Sequence, residues 1–93
     1  MKRQIDYFKE QIHKNNILKK YNLSKLTLFG SFARDEAAAD IDIFIEEYDD
    51  YQKLIELKAE LENIFNKPVD ILIKKFANPI VLYRAKRDFI DVA

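Results

Sequence analysis

The sequence predicts a small α/β fold of the α+β kind, a mixed sheet of three to four strands with helices packed on it. Three observations carry this. Segments of period-two alternation are interleaved with segments at helical spacing. The only glycine, Gly30, stands where one such strand ends. Asn78-Pro79 offers a capping residue followed by a proline suited to the first helical position.

Taken in order, Ile5, Phe8 and Ile12 recur at helical spacing, and after Asn15-Asn16 the apolar set shifts to Ile17, Leu18 and Tyr21. This predicts a helix over about residues 2–21, bent or broken at the Asn pair. From Lys25 to Phe29 the pattern alternates, with Leu26 and Leu28 on one side, so a strand ends at Gly30 and a short helix follows. A second strand is expected over about Asp40–Glu46, with Ile41, Ile43 and Ile45 on one face and Asp40, Asp42 and Phe44 on the other. Residues 50–66 return to helical spacing, and Leu54, Leu57, Leu61, Ile64 and Phe65 fall within about a 100° arc. Asp49 or Asp50 can cap that helix and Pro68 cannot extend it. Val69–Lys74 reads as a third strand with Asp70 opposite Val69, Ile71 and Ile73, and a last helix runs from Asn78-Pro79 to about Arg87 or Phe89.

The 93 residues are enough for one core, and with no repeat, linker or low-complexity stretch they are expected to form a single domain over 1–93. No apolar run approaches the length of a membrane span, and the charged start MKRQIDYFKE is unlike a signal peptide, so a cytoplasmic protein is expected. The lack of cysteine removes disulfides and thiolate metal sites from consideration. Net charge is zero but unevenly spread: residues 1–26 carry seven Lys/Arg against two acids, and residues 35–62 carry eleven acids against two lysines. There is no strong nucleic-acid signal, since neither an overall basic balance nor an aromatic-studded basic face is present. Solvated helix faces account for most of this charge; a cation site with nearby lysines for a polyanion is the more specific alternative.

Two features carry chemistry. Gly30 permits a tight turn and close approach of a phosphate, and Ser31 can cap a helix or offer its hydroxyl and amide to an anion. Asp40 and Asp42, two apart on a strand, project from one face, where like charges resist joint ionisation unless a cation lies between them. Carboxylate oxygens suit Mg²⁺, which takes substrate phosphates among its remaining ligands. The alternative is the solvated outer face of an acidic edge strand. Asp70 tips the balance, because a lone carboxylate in VDILI is costly if buried, and a strand beside the second would set it next to Asp42. Three carboxylates on one face suggest a two-metal site for in-line displacement at phosphorus.

The stretches LTLFGSFARDEAAADIDIFIEE and KPVDILI resemble the nucleotidyltransferase family of the DNA polymerase β type, and within it the minimal nucleotidyltransferases paired with HEPN-domain toxins. The resemblance covers about Tyr21 to Phe89. It implies the nucleotidyltransferase fold, with Gly30 and Ser31 on the triphosphate of ATP and Asp40, Asp42 and Asp70 as catalytic ligands of two Mg²⁺ ions. It further implies transfer of AMP to a tyrosine of a HEPN-type toxin, the chain acting as antitoxin. Arg34, one turn after Ser31, is a candidate phosphate contact, with an ion pair to Asp35 or a neighbouring acid as the alternative. The family usually has ten residues between Gly-Ser and the first Asp, and here there are eight. Counted without a gap, Asp42 would stand first and Phe44 second; the gapped match keeps DIDIFI on the family's strand. A binding-only antitoxin is therefore the second reading, and transfer to a small molecule or RNA end a third. Arg84, Lys86 and Arg87 are weaker candidates for ligand contact, His13 is expected at the surface, and Ile55 lies outside the apolar arc of its helix.

Overall fold

A computed structural model describes residues 3–92. The helices are α1 (Gln4–Lys14), α2 (Ile17–Lys20), α3 (Gly30–Ala33), α4 (Tyr51–Phe65) and α5 (Pro79–Ala85). The strands are β1 (Thr27–Phe29), β2 (Ile41–Ile45), β3 (Val69–Ile73) and β4 (Ile90–Asp91), and single 3₁₀ turns lie at Lys74–Phe76 and Lys86–Asp88. The sheet order is β3-β2-β1-β4. β1 pairs antiparallel with both β2 and β4, and β3 runs parallel to β2. The expected mixed sheet is present, with four strands.

One face of the sheet carries the core. Leu28, Ile41, Ile43 and Val69 are fully buried there against Phe8, Ile17, Leu57 and Leu61 from the helices. Phe8 stacks on Phe65 at 4.7 Å and meets Phe32 edge-on at 5.8 Å, which joins α1, α4 and α3 around one aromatic centre. The opposite face presents Thr27 and Phe29 of β1, Asp42 and Phe44 of β2, and Asp70 and Leu72 of β3, as period-two alternation requires. Phe89 packs on Phe44 at 4.7 Å and on Phe29 at 6.2 Å, so the chain after α5 closes part of this second face.

Several boundaries differ from the sequence expectation. The helix expected over 2–21 is two helices, because Asn16 is left-handed (φ 56°) and breaks the hydrogen-bond ladder; its expected first residue lies outside the described residues. The strand expected from Lys25 begins at Thr27, and Asp40 stands just before β2. Asp50 caps α4 by accepting from the Lys53 N–H, and left-handed Asn66 ends that helix ahead of Pro68. The last helix ends at Ala85 and tightens into the turn Lys86–Asp88. β4 is the element missing from the expected order: two residues show no periodicity, and only the ladder with Thr27 and Leu28 defines them as a strand.

Candidate active site

β1 ends at Phe29, which lies opposite Asp42, so the next residue, Gly30, sits directly beyond the Asp42 carboxylate. Gly30 has φ +75°, and a Cβ placed there would stand 2.6 Å from Asp42 Oδ2. The glycine thus serves two needs at once, a left-handed backbone and an unobstructed carboxylate. α3 starts at Gly30 itself. Ser31 is therefore its second residue and not the cap; Phe29 occupies the cap position, without a side-chain hydrogen bond. The Ser31 side chain makes no hydrogen bond among the described residues and is half-buried.

The parallel register of β2 and β3 sets Asp42 directly beside Asp70. The bond from the Ile41 N–H to Pro68 O at 2.9 Å extends this pairing toward Asp40. One oxygen from each of Asp40, Asp42 and Asp70 lies within 4.8 Å of the others. Asp40 and Asp42 are half-buried and Asp70 is exposed. Partial burial, then the charge of Asp40, then that of Asp70 hold the Asp42 carboxyl above its ordinary range. A divalent cation would relieve that repulsion, and three hard oxygen donors with an open side suit Mg²⁺ or Mn²⁺.

The eight-residue connection from Ser31 to Asp40 is pinned by residues the sequence did not single out. Gln4 donates from its side-chain amide to Phe32 O (3.1 Å) and Glu36 O (2.8 Å), and its backbone N–H reaches Asp35 Oδ1. Lys67 Nζ donates to Ala38 O at 2.6 Å, holding the segment against the start of β3. A glutamine at a helix start and a lysine before Pro68 have no distinguishing spacing, so no signal in the sequence marks them. Despite its length, the connection delivers both β2-side aspartates to the site.

Arg34 is engaged elsewhere. Its guanidinium forms a two-point pair with Glu36 (3.0 and 3.2 Å) and reaches Asp88 Oδ2 at 2.6 Å, tying α3 to the turn before β4. Of the two expectations for this residue, the structure places it in an ion pair, with Glu36 and Asp88 in place of Asp35. Asp35 is left-handed at φ 60°. Arg84, Lys86 and Arg87 are all exposed, and His13 is exposed on α1. Ile55 is 64% exposed. A cavity of about 170 Å³, which sequence reasoning did not foresee, opens on the carboxylate-bearing face between Thr27 and Phe44 of the sheet and Leu82, Lys86 and Phe89 of the C-terminal segment.

A strand running into Gly-Ser, set against two neighbouring strands that carry three convergent aspartates, defines a nucleotidyltransferase domain. The chain belongs to the polymerase beta nucleotidyltransferase family, whose description, "Polymerase beta, Nucleotidyltransferase", matches residues 10–89. A protein of Methanocaldococcus jannaschii, provisionally named a protein adenylyltransferase, is 42% identical over 66 residues, spanning 67% of this chain and 77% of that protein. Two solved structures share the fold. One is a toxin–antitoxin crystallised with AMP-PNP (TM-score 0.70, 22% identity, 91% of this chain and 72% of that one). The other is a tri-AMPylated Shewanella oneidensis HEPN toxin in complex with its MNT antitoxin (TM-score 0.61, 23% identity, 89% and 71%).

Proposed function

We propose that this chain transfers AMP from Mg-ATP to a hydroxyl, that of a tyrosine, on a HEPN-type toxin, and acts as the antitoxin of that toxin. The observation that carries the reading is the convergence of Asp40, Asp42 and Asp70 beside Gly30. The chemical names of the relatives and the AMP-PNP and AMPylated-toxin structures support it. The acting unit is a single domain over residues 1–93, working in the cytoplasm where its ATP is found.

In this reaction the acceptor oxygen bonds to the α-phosphorus while the bond from that phosphorus to the bridging oxygen breaks. Pyrophosphate leaves with the electron pair, and the hydroxyl proton passes by way of the exposed Asp70 carboxylate to water. Asp40, Asp42 and Asp70 would hold two Mg²⁺ ions, which would supply charge neutralisation at the phosphoryl oxygens. The Gly30 and Ser31 amides and the Ser31 hydroxyl bind the triphosphate. α3 has four residues, so these local donors carry the binding and a helix dipole adds little. Asp42 lies between the two halves of the site and positions both. Arg34 acts by bracing α3 from behind through Asp88 and Glu36.

The eight-residue connection favours one alternative, an antitoxin that neutralises by binding alone, since a misplacement of about 1 Å at a reacting centre can cost about a hundredfold in rate. Incubation with α-labelled ATP, Mg²⁺ and the protein encoded beside this chain separates the two. Label should appear on the partner, and Asp42→Asn should reduce it by about two orders of magnitude or more. A stable complex that carries no label with any divalent metal would establish the binding-only reading.

A further inference from the structure

We propose that Lys67 is a positioning residue of the metal site: by holding the Ala38 carbonyl it fixes Asp40 against Asp70 before any ion arrives. The inference rests on the reading of Asp40, Asp42 and Asp70 as metal ligands, and it adds what keeps the three together without an ion.

The three carboxylates are not held equally. Asp42 and Asp70 lie inside their strands, side by side in the β2–β3 ladder, and Asp42 is also paired with Phe29 of β1. Asp40 stands outside β2, at the end of the connection from α3. Among the described residues, Ala37, Ala38, Ala39 and Asp40 make no backbone–backbone hydrogen bond. The bonds from and to Gln4 stop short of this stretch, at Phe32, Asp35 and Glu36. Asp40 is therefore the ligand with the least to hold it, and repulsion from Asp42 and Asp70 drives it outward.

Two bonds oppose that motion, and both come from the residues just ahead of β3. The Ile41 N–H donates to Pro68 O at 2.9 Å, and Lys67 Nζ donates to Ala38 O at 2.6 Å. Ala38 is two residues before Asp40 and Lys67 three before Asp70, so the lysine ties the approach to one ligand to the approach to the other. Among the described residues it makes the only side-chain hydrogen bond to positions 37–40. An ammonium on a carbonyl is a charge-assisted bond, stronger than a neutral one. The lysine's own footing is firm. It is half-buried, Pro68 keeps its backbone out of the helical region, and the Val69 N–H donates to Glu62 Oε2 of α4 at 2.9 Å. Burial of the Ala38 methyl in the core is the competing hold on the same segment. If that burial suffices, the lysine is dispensable.

The charge of Lys67 separates positioning from simple electrostatics. Any Coulomb effect of an ammonium on an incoming divalent ion is repulsive. Removing the charge alone would therefore tighten metal binding, whereas losing the positioning would weaken it. The two effects have opposite signs.

The test is a calorimetric titration of Mn²⁺ into the full chain, at a temperature where circular dichroism shows each variant folded. Lys67→Met keeps the apolar stem and removes the ammonium; it is expected to bind Mn²⁺ about tenfold more weakly or worse. Lys67→Arg can still donate to the carbonyl and is expected to recover most of the affinity. Unchanged or tighter binding by Lys67→Met overturns the proposal, because a merely structural role lowers the melting temperature and leaves the affinity of the folded chain alone. A second measurement needs no variant. In the metal-free wild-type chain the Ile41 amide is expected to be protected from exchange with solvent deuterium. An Ile41 amide that exchanges freely until Mg²⁺ is added would show that the ion does the positioning, and overturns the proposal. Failure of the metal-site reading looks different: a wild-type chain that binds neither Mn²⁺ nor Mg²⁺ removes that reading and the proposal with it.

Discussion

A methyl group at position 30 would lie 2.6 Å from Oδ2 of Asp42, on a backbone whose φ is +75°. Gly30→Ala must therefore pay for the left-handed conformation and displace the Asp42 carboxylate, a proposed metal ligand, as well. The expected outcome is a loss of about 1–3 kcal/mol in thermal unfolding, together with at least a tenfold weaker Mn²⁺ affinity by titration. Unchanged Mn²⁺ affinity would show that Asp42 has room to move and that the glycine serves the turn alone. The sequence made the turn legible, because a single glycine at a strand end has few other uses. It could not reveal the contact with Asp42, which exists only through the register that sets Phe29 opposite that residue. Asp70 was legible for a different reason: a carboxylate inside the apolar run VDILI stands out, and the parallel pairing sets it beside Asp42. Gln4 and Lys67 were not, since their value lies in backbone carbonyls brought close by the fold.

Among the elements, α5 is the most dependent on its ends. It spans seven residues, too few to be stable by propensity, and its Asn78 side chain accepts from the Ile80 N–H at 2.8 Å. Asn78→Ala should cost about 1 kcal/mol, seen as a fall of about 4–8 °C in melting temperature for a domain of this size. Hydrogen exchange should rise along α5 while β1 and β2 stay protected. Uniform loss of protection would instead mean that α5 unfolds only with the whole domain. The start of α5 and both limits of α4 were readable from Asn-Pro, Asp50 and Pro68, each of which has a fixed backbone consequence. The end of α5 and the existence of β4 were not, because a 3₁₀ turn and a two-residue strand are decided by packing of Phe89 and pairing with β1.

At the scale of the molecule, the two helical segments on the core side are joined through Glu60 of α4. It accepts from the Tyr21 hydroxyl at 2.5 Å and from Lys20 Nζ at 2.9 Å. Burial pushes the Glu60 carboxyl up, but the bonds from Tyr21 and Lys20 outweigh it and hold it below the ordinary carboxylate range. A lowered folded-state value stabilises the fold above the unfolded pKa, and that contribution is lost as pH falls through the folded one. Thermal stability should thus decline by a few degrees as pH drops below about 4, and Glu60→Gln should reduce the steepness of that decline. An identical pH profile for the variant would show that the link contributes nothing. The sheet order itself was only partly readable: alternation assigned the faces, but nothing in the spacing specified β4 beside β1.

The pairing of β2 with β3 has a consequence for how such a chain can change over time. Gly30, Asp40, Asp42 and Asp70 all belong to the uninterrupted stretch β1-α3-β2-α4-β3, and among the described residues none before 27 or after 73 contributes a carboxylate to the cluster. α5 lies wholly outside that stretch. Substitutions on its exposed side can accumulate without touching the carboxylates, so a lineage can reshape that surface while inheriting the same cluster.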